Sequence, residues 1–138
     1  MKRQFQLPEQ DIVFLEGLGL SWETVISGGM HWVLIHNYPL PLGYNCKETS
    51  VAIKIESGYP RSQLDMAYFF PALSRLDGKP INAVTFQVIE GKQYQRWSRH
   101  RTGQNPWREG VDDLSTHMAL VNFWFEQEFI KRPNGIAA

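Results

Sequence analysis

The sequence predicts an α+β domain made of a short N-terminal helix, an antiparallel meander of about four strands and a long C-terminal helix. Apolar and polar side chains alternate across the middle of the chain, as they do in half-buried strands. Near the end of the chain the apolar side chains recur instead at the spacing of a helix. A length of 138 residues, of which 43% are hydrophobic and 20% charged, suits one globular domain.

The first helix is expected to begin within Leu7-Pro8-Glu9-Gln10-Asp11. Proline fits the first turn of a helix, and acidic side chains there complement the positive end of the helix dipole. Gly17 and Gly19 are expected to end this helix after about two turns. Its short apolar face comprises Ile12, Leu15 and Leu18.

Strand-like segments follow, and two hairpins are predicted, over 22–36 around Gly28-Gly29 and over 84–97 around Glu90-Gly91-Lys92. Between them, 50–56 is the clearest strand, because its apolar and polar side chains alternate. Residues 66–70 resume strand-like character until Pro71 ends it. The two prolines of 38–45 predict a rigid extended loop. We expect about four strands in the resulting meander.

The C-terminal helix is indicated by a change of period after Trp107. Asp112 and Asp113 are suited to cap or complement its amino end. His117 borders the apolar stripe, so we expect a hydrogen-bonded histidine at the edge of the core. The stripe comprises Leu114, Met118, Val121, Phe125 and Phe129. A single domain is expected over 1–132, with a flexible tail over 133–138.

The composition excludes several classes of function. Fourteen basic residues balance fourteen acidic ones, so no overall field favours nucleic acid or an anionic membrane. No apolar run reaches the length of a membrane span and no signal peptide is evident, so a cytoplasmic location is expected. The single cysteine, Cys46, excludes an internal disulfide and a thiolate metal site. His31 and His36 lack zinc-site spacing, and neither metal nor cofactor is predicted.

The segment Tyr94–Trp107 is the strongest functional candidate, because basic, aromatic and hydroxyl side chains crowd together just before the long helix. Arginines beside aromatic anchors are typical of surfaces that bind a partner. The alternative is that the indoles are core side chains and the arginines cover them with their aliphatic stems. The candidate residues are Arg96, Trp97, Ser98, Arg99, His100, Arg101, Asn105 and Trp107.

The whole chain resembles the ubiquitin-conjugating enzyme fold, and most closely its bacterial branch, the prokaryotic conjugating-enzyme family E. The resemblance lies in Leu7-Pro8, Tyr38-Pro39 to Tyr44-Asn45, Ser57-Gly58-Tyr59-Pro60, Asp65 with Tyr68-Phe69, Gln95-Arg96-Trp97-Ser98-Arg99-His100, and Trp107 to Asp112. It implies that fold and a role in handling the activated carboxyl terminus of a ubiquitin-like protein. The implied partners are that protein, an activating-enzyme-like protein and a deconjugating peptidase of the same operon, with antiphage defence as the setting.

The chain departs from conjugating enzymes in its cysteine. Their catalytic cysteine lies downstream of a Tyr-Pro element and several residues before a Trp, whereas Cys46 lies upstream of Tyr59-Pro60. Counting back from Trp107, the position expected for the nucleophile falls near Ser98 or Arg99. The resemblance therefore implies that Ser98 carries an acyl group as an oxyester.

In that hypothesis His100 is the base that activates the Ser98 hydroxyl, and Asn105 donates to the oxyanion. The guanidinium and indole groups would hold the incoming carboxyl-terminal tail. These substrate-binding candidates are Arg96, Trp97, Arg99, Arg101 and Trp107.

Three functions remain open at this point. The chain is either a conjugating enzyme with an adduct on Ser98, or less favourably on Cys46, or a non-catalytic scaffold or adaptor of the same fold. The third function is that of a single-stranded nucleic-acid-binding domain, in which bases stack on Tyr94, Trp97 and Trp107. The neutral net charge disfavours this third function.

Overall fold

A computed structural model describes residues 1–131 and confirms the α+β class. An N-terminal helix and a long C-terminal helix enclose the strands in sequence, as predicted. The expectation of about four strands is wrong, because the described residues contain six, and even the short segment before Pro71 pairs on both sides. The elements are α1 Glu9–Gly17, β1 Trp22–Ser27, β2 Met30–Pro39, β3 Glu48–Ile55, β4 Ala67–Phe70, β5 Val84–Ile89, β6 Lys92–Trp97 and α2 Leu114–Ile130.

The six strands form one antiparallel sheet in the order β1-β2-β3-β4-β6-β5. The predicted meander holds as far as β4 and is wrong beyond it, because β4 pairs with β6 and β5 becomes an edge strand. β6 buries Tyr94 and Trp97, whereas β5 leaves Phe86 and Val88 about 60% exposed, at 56% and 62%. The strand with the larger apolar side chains therefore takes the interior position, where both its faces are covered.

Both faces of the sheet are buried. Successive side chains of each strand point to opposite faces of the sheet and form two buried clusters. The main cluster packs against α1 and α2, and the second cluster is formed by strand side chains on the opposite face. Thus Ile35 lies in the main cluster and Leu34 in the second. The sheet curls, so that the tips of the two predicted hairpins meet where the Glu90 amide donates to Ser27 Oγ, 3.0 Å away.

The C-terminal helix begins with a capping box at Asp113. The Asp113 carboxylate accepts the Thr116 amide, and the Thr116 hydroxyl accepts the Asp113 amide. The Nε2–H of His117 donates to the Met66 carbonyl at 2.8 Å, so the histidine is hydrogen-bonded as predicted, but it is fully buried and not at the edge of the core. Asp112 does not cap the helix, because its carboxylate accepts the Arg108 amide instead.

β2 runs on to Pro39, so the predicted loop over 38–45 begins later than expected. Within residues 1–131, neither helix has the length and apolar character needed to span a bilayer. The predicted tail over 133–138 lies outside the described residues.

Candidate functional site

An open groove of about 440 Å³ lies between the chain that leaves β6 and the last turns of α2. We call it the α2 groove. It brings together four of the residues singled out in the sequence, which follow one another from Ser98 to Arg101. The groove is lined by Ser98, Arg99, His100, Arg101, Thr102, Phe123, Trp124, Gln127 and Lys131.

Ser98 sits at the wall of this groove because backbone and side-chain contacts fix the chain on both sides of it. Its amide donates to the Ala83 carbonyl at 3.0 Å, just before β5 begins. The next residue, Arg99, donates from Nη1 to the Asn82 carbonyl at 2.9 Å and lies 4.9 Å from the centroid of the Trp97 ring. The half-buried residue Ser98 is therefore held in the groove wall by a backbone that is fixed on both sides.

Arg99 belongs to a buried cluster of charges behind the groove. Its Nη2 lies 3.6 Å from Glu128 Oε2, and Arg75 Nη1 lies 3.7 Å from Glu128 Oε1. The side chains of Arg99, Arg75 and Glu128 are 9%, 2% and 0% exposed. Arg75 also donates to Asp77, so that two cations face two anions. Arg99 thus anchors the wall of the groove, and its guanidinium is engaged within the fold.

Arg101 lies between the α2 groove and a neighbouring depression of about 400 Å³. Only 6% of its side chain is exposed; it lies 5.0 Å from the Trp107 ring centroid and 3.7 Å from Asp112 Oδ2. Its Nη1 donates to Asn105 Oδ1 at 3.4 Å. Burial raises the pKa of Asp112, but the Arg108 amide and the nearby arginines together hold that pKa below its ordinary value. Asn105 is oriented by Arg101, but it lines the neighbouring depression and is not part of the α2 groove lining.

Trp107 lies beside Arg101 and connects it to the loop after β3. Its Nε1–H donates to the Pro60 carbonyl at 3.1 Å, and its ring lies 6.3 Å from that of Tyr59. The indole is half-buried. Trp107 thus supports Arg101 from beneath and lies outside the lining of the α2 groove.

His100 reaches across to a residue distant in sequence. Its Nδ1 lies 3.0 Å from each carboxylate oxygen of Asp65, and 58% of its side chain is exposed. The hydrogen bonds found within residues 1–131 join His100 to Asp65 and not to Ser98. Asp65 is 35 residues away in sequence, so no local pattern identifies it as the partner.

Arg96 and Trp97 lie elsewhere, because successive residues of β6 face opposite sides of the sheet. Trp97 is fully buried in the main cluster, where its Nε1–H donates to Gln95 Oε1 at 2.9 Å. Arg96 lies on the other face, beside Tyr68 and Trp32. The structure therefore places neither of these two substrate-binding candidates in the α2 groove.

Cys46 lies in the loop before β3 and is not part of the groove lining. It packs against the main cluster, and burial raises the pKa of its thiol. A protonated thiol is a weak nucleophile. The position and protonation of Cys46 both argue against it as an acyl carrier.

The contribution of α2 to the groove was not predicted from the sequence. Phe123, Gln127 and Lys131 follow one another at intervals of four, so they lie on one face of the helix away from the apolar stripe. That spacing was the signal available in the sequence.

Two buried polar atoms of the groove lining, Gln127 Oε1 and Arg101 Nε, have no hydrogen-bond partner among the described residues.

No group of three or more His, Cys, Asp and Glu side chains within residues 1–131 is arranged to hold a metal ion. The groove instead offers hydroxyl, amide, guanidinium and imidazole groups beside the aromatic rings of Phe123 and Trp124. These groups suit the recognition of peptide carbonyls, amides and carboxylates.

Comparison with known proteins gives one finding about ancestry. Neither the curated proteins nor the solved structures provide a match. The model of a family described as prokaryotic E2 family E matches residues 7–128, which include all six strands, the α2 groove residues up to Gln127 and nearly all of α2. Because this match covers most of the chain, the protein belongs to prokaryotic E2 family E.

Proposed function

We propose that this protein is the E2-like component of a prokaryotic ubiquitin-like conjugation pathway, and that its α2 groove receives the activated carboxyl-terminal tail of a ubiquitin-like protein. Family membership supports the pathway and, in general terms, a ubiquitin-like protein and an activating enzyme as partners. A deconjugating peptidase of the same operon would act on the products.

The observation that carries the proposal is the pair of unsatisfied polar atoms in the groove. Gln127 Oε1 is an acceptor and Arg101 Nε–H a donor, and each is buried without a partner within the described part of the chain. An extended peptide tail presents backbone N–H donors and C=O acceptors in alternation, so it can satisfy both. A volume of about 440 Å³ is adequate for several residues of such a tail.

The chemistry proposed for Ser98 is an acyl transfer. Ser98 Oγ attacks the carbonyl carbon of the activated tail, and the bond from that carbon to the leaving group breaks. The leaving group is the thiolate of the activating enzyme or the phosphate of an adenylate, and it departs with the bonding electron pair. The product is an oxyester on Ser98, and the hydroxyl proton passes to a base.

His100 is the candidate base. When its Nδ1–H donates to Asp65, Nε2 is left unprotonated and able to accept a proton, as in an Asp–His pair that orients an imidazole. Its exposed side chain has the freedom to turn toward Ser98 once a tail occupies the groove. Arg101, which lines the groove, and Asn105, which lies in the neighbouring depression, are the candidate donors to the oxyanion.

A non-catalytic scaffold is the second candidate function. The hydrogen bonds of the described residues do not join Ser98 to a base, and Cys46 is outside the groove. A scaffold would use the same groove to hold the tail without forming a bond to it. Nucleic-acid binding is disfavoured, because Tyr94 and Trp97 are 2% and 0% exposed and cannot stack on bases, and because Arg99 is engaged in the fold.

The proposal is tested by intact-mass analysis after incubation with the cognate activating enzyme, ubiquitin-like protein and ATP. The variants are Ser98→Ala, Cys46→Ala and, as a matched control, Thr102→Ala, which removes another hydroxyl from the same groove. We expect an adduct in the wild type, Cys46→Ala and Thr102→Ala, and none in Ser98→Ala. The adduct should resist dithiothreitol and be cleaved by mild alkaline hydroxylamine, as an oxyester is.

An adduct that persists in Ser98→Ala contradicts the oxyester. Absence of any adduct, with binding of the ubiquitin-like protein retained and weakened by Gln127→Ala, establishes the scaffold function at the same groove. Absence of both adduct and binding contradicts the proposed function altogether.

A further inference from the structure

A second cavity lies on the face of the sheet opposite the α2 groove. Its volume is about 170 Å³, and it opens where the second core cluster reaches solvent between β2, β4 and β6. We call it the sheet cavity. The residues that matter for its chemistry are Trp32, Tyr68, Arg96, Met30, Met66 and Asp65.

The floor of the sheet cavity is aromatic. Trp32 and Tyr68 are 1% and 3% exposed, and their rings meet edge to face with centroids 4.9 Å apart. The half-buried side chains of Met30 and Met66 pack against the same cluster. This part of the cavity is apolar and fixed, so it suits a small apolar group.

Two buried N–H groups of residues that line the cavity have no acceptor among residues 1–131. They are Nε1–H of Trp32 and Nε–H of Arg96. A buried donor without an acceptor carries a free-energy cost, and this cost is removed when a ligand or a water supplies an oxygen atom. Two such donors at one cavity call for a ligand that has acceptor oxygens.

The charges around the cavity determine what kind of acceptor it takes. Lys54 is paired with Glu56 at 3.2 Å, and Asp65 is paired with His100 at 3.0 Å. Arg96, by contrast, forms no ion pair with any described residue. The lining holds two positive and two negative side chains, and Lys54 is already paired with Glu56, so the guanidinium of Arg96 is the cation that a ligand can pair with, which favours a carboxylate over a neutral acceptor.

We propose that the sheet cavity is a binding site for a small carboxylate, whose oxygens accept from Arg96 and Trp32 while its short apolar body contacts Trp32 and Tyr68. The volume corresponds to about five or six waters, so it admits a carboxylate with a few heavy atoms and excludes larger groups. The carboxylate belongs either to a free acid or to the terminus of a peptide chain. The proposal does not rest on the acyl transfer at Ser98, and the two sites meet at Asp65, which lines the sheet cavity and is hydrogen-bonded to His100 of the α2 groove.

The test is a titration of the ¹⁵N-labelled protein, followed through the indole N–H resonance of Trp32, which is assigned with Trp32→Phe. The probes are propionate for a free acid and N-acetylglycine for a chain terminus, with propionamide and N-acetylglycinamide as neutral matches. We expect a saturable shift of the Trp32 indole with one or both acids, and none with the amides. Whichever acid saturates at the lower concentration identifies the source.

Arg96→Gln and Lys92→Gln provide the matched pair of variants. Both residues lie on β6 and each substitution removes one positive charge, but Lys92 does not line the cavity. Arg96→Gln should weaken acid binding at least about tenfold, the loss expected for one charge-assisted hydrogen bond, and Lys92→Gln should leave it unchanged. Equal shifts with acids and amides, no saturation, or undiminished binding in Arg96→Gln would each overturn the proposal.

Discussion

His117 is a buried histidine whose environment opposes its protonation. Burial lowers its pKa to about 4 from the ordinary 6.5, and the hydrogen bond to the Met66 carbonyl offsets only part of this effect. Its Nε2–H is engaged by that carbonyl, and Nδ1 is buried without a hydrogen-bond partner among the described residues. The imidazole of His117 is therefore neutral in the folded state. Protonating it lowers the free energy of unfolding.

We predict that stability falls as the pH drops from 6.5 towards 4 because of His117. The folded-state pKa lies below the unfolded value, so the unfolded chain binds the proton more tightly in that window, and stability is fully retained above it. The loss attributable to His117 is roughly 3 kcal/mol at the lower end. Urea unfolding of the wild type and His117→Gln between pH 4 and 7.5 measures it.

His31→Gln is the control, because His31 is exposed and its loss should leave the pH dependence as in the wild type. If His117→Gln and the wild type lose stability in parallel over the whole range, the buried neutral imidazole is not the cause.

Three separate elements are held together by the charges behind the α2 groove. Arg75 comes from the segment between β4 and β5, Arg99 from the segment after β6, and Glu128 from the last turns of α2. Glu128 contributes its backbone carbonyl as well, which accepts from Arg75 Nη1 at 3.2 Å. The shape of the groove therefore depends on one buried carboxylate between two guanidinium groups.

We predict that Glu128→Ala lowers the free energy of unfolding by about 3–5 kcal/mol, because it leaves two buried arginines without their shared carboxylate. Chemical denaturation measures this change. Glu126→Ala is the matched control, since Glu126 is exposed on the same helix, and it should alter stability by no more than about 0.5 kcal/mol. Equal, small effects of the two substitutions would mean that the buried charges do not hold these elements together.

The molecule as a whole is organised by a sheet that is covered on both faces. α1 and α2 cover one face, and on the other the curled sheet packs its own side chains into the second cluster. The contact between the tips of the β1–β2 and β5–β6 hairpins fixes that curl. The two candidate sites lie on opposite faces, because α2, which forms one wall of the α2 groove, covers the face of the main cluster, whereas Arg96 lies beside Trp32 and Tyr68 on the other face.

We predict that Leu34→Ala and Ile35→Ala each cost about 2–5 kcal/mol of stability, because these neighbours are buried on opposite faces, at 3% and 0% exposure. Urea unfolding measures both. A helix covers only the face of Ile35, so Leu34 is the sensitive probe of the curl. A loss of less than about 0.5 kcal/mol in Leu34→Ala, as at an exposed position, would contradict a closed second cluster.

Local patterns in the sequence were sufficient for much of the fold. The 3.6-residue period from Leu114 to Phe129 predicted α2, and the period of two in 50–56 predicted β3. The turn residues at Gly28-Gly29 and Glu90-Gly91 predicted both hairpins. These features are local because backbone geometry alone decides which side chains share a face.

The sequence by itself determined the α+β class and both helices, and it singled out the segment Tyr94–Trp107, of which residues 98–102 line the α2 groove. Only the tertiary structure decided that β6 lies inside β5, that Arg99 is paired with Glu128, and that His100 is paired with Asp65. The physical reason is that a periodic pattern records which face of an element is apolar but not which distant element covers it. Which strands and side chains pair is decided by the total burial in the assembled chain. That pairing therefore decides whether a guanidinium is left free to bind another protein or is held inside the fold.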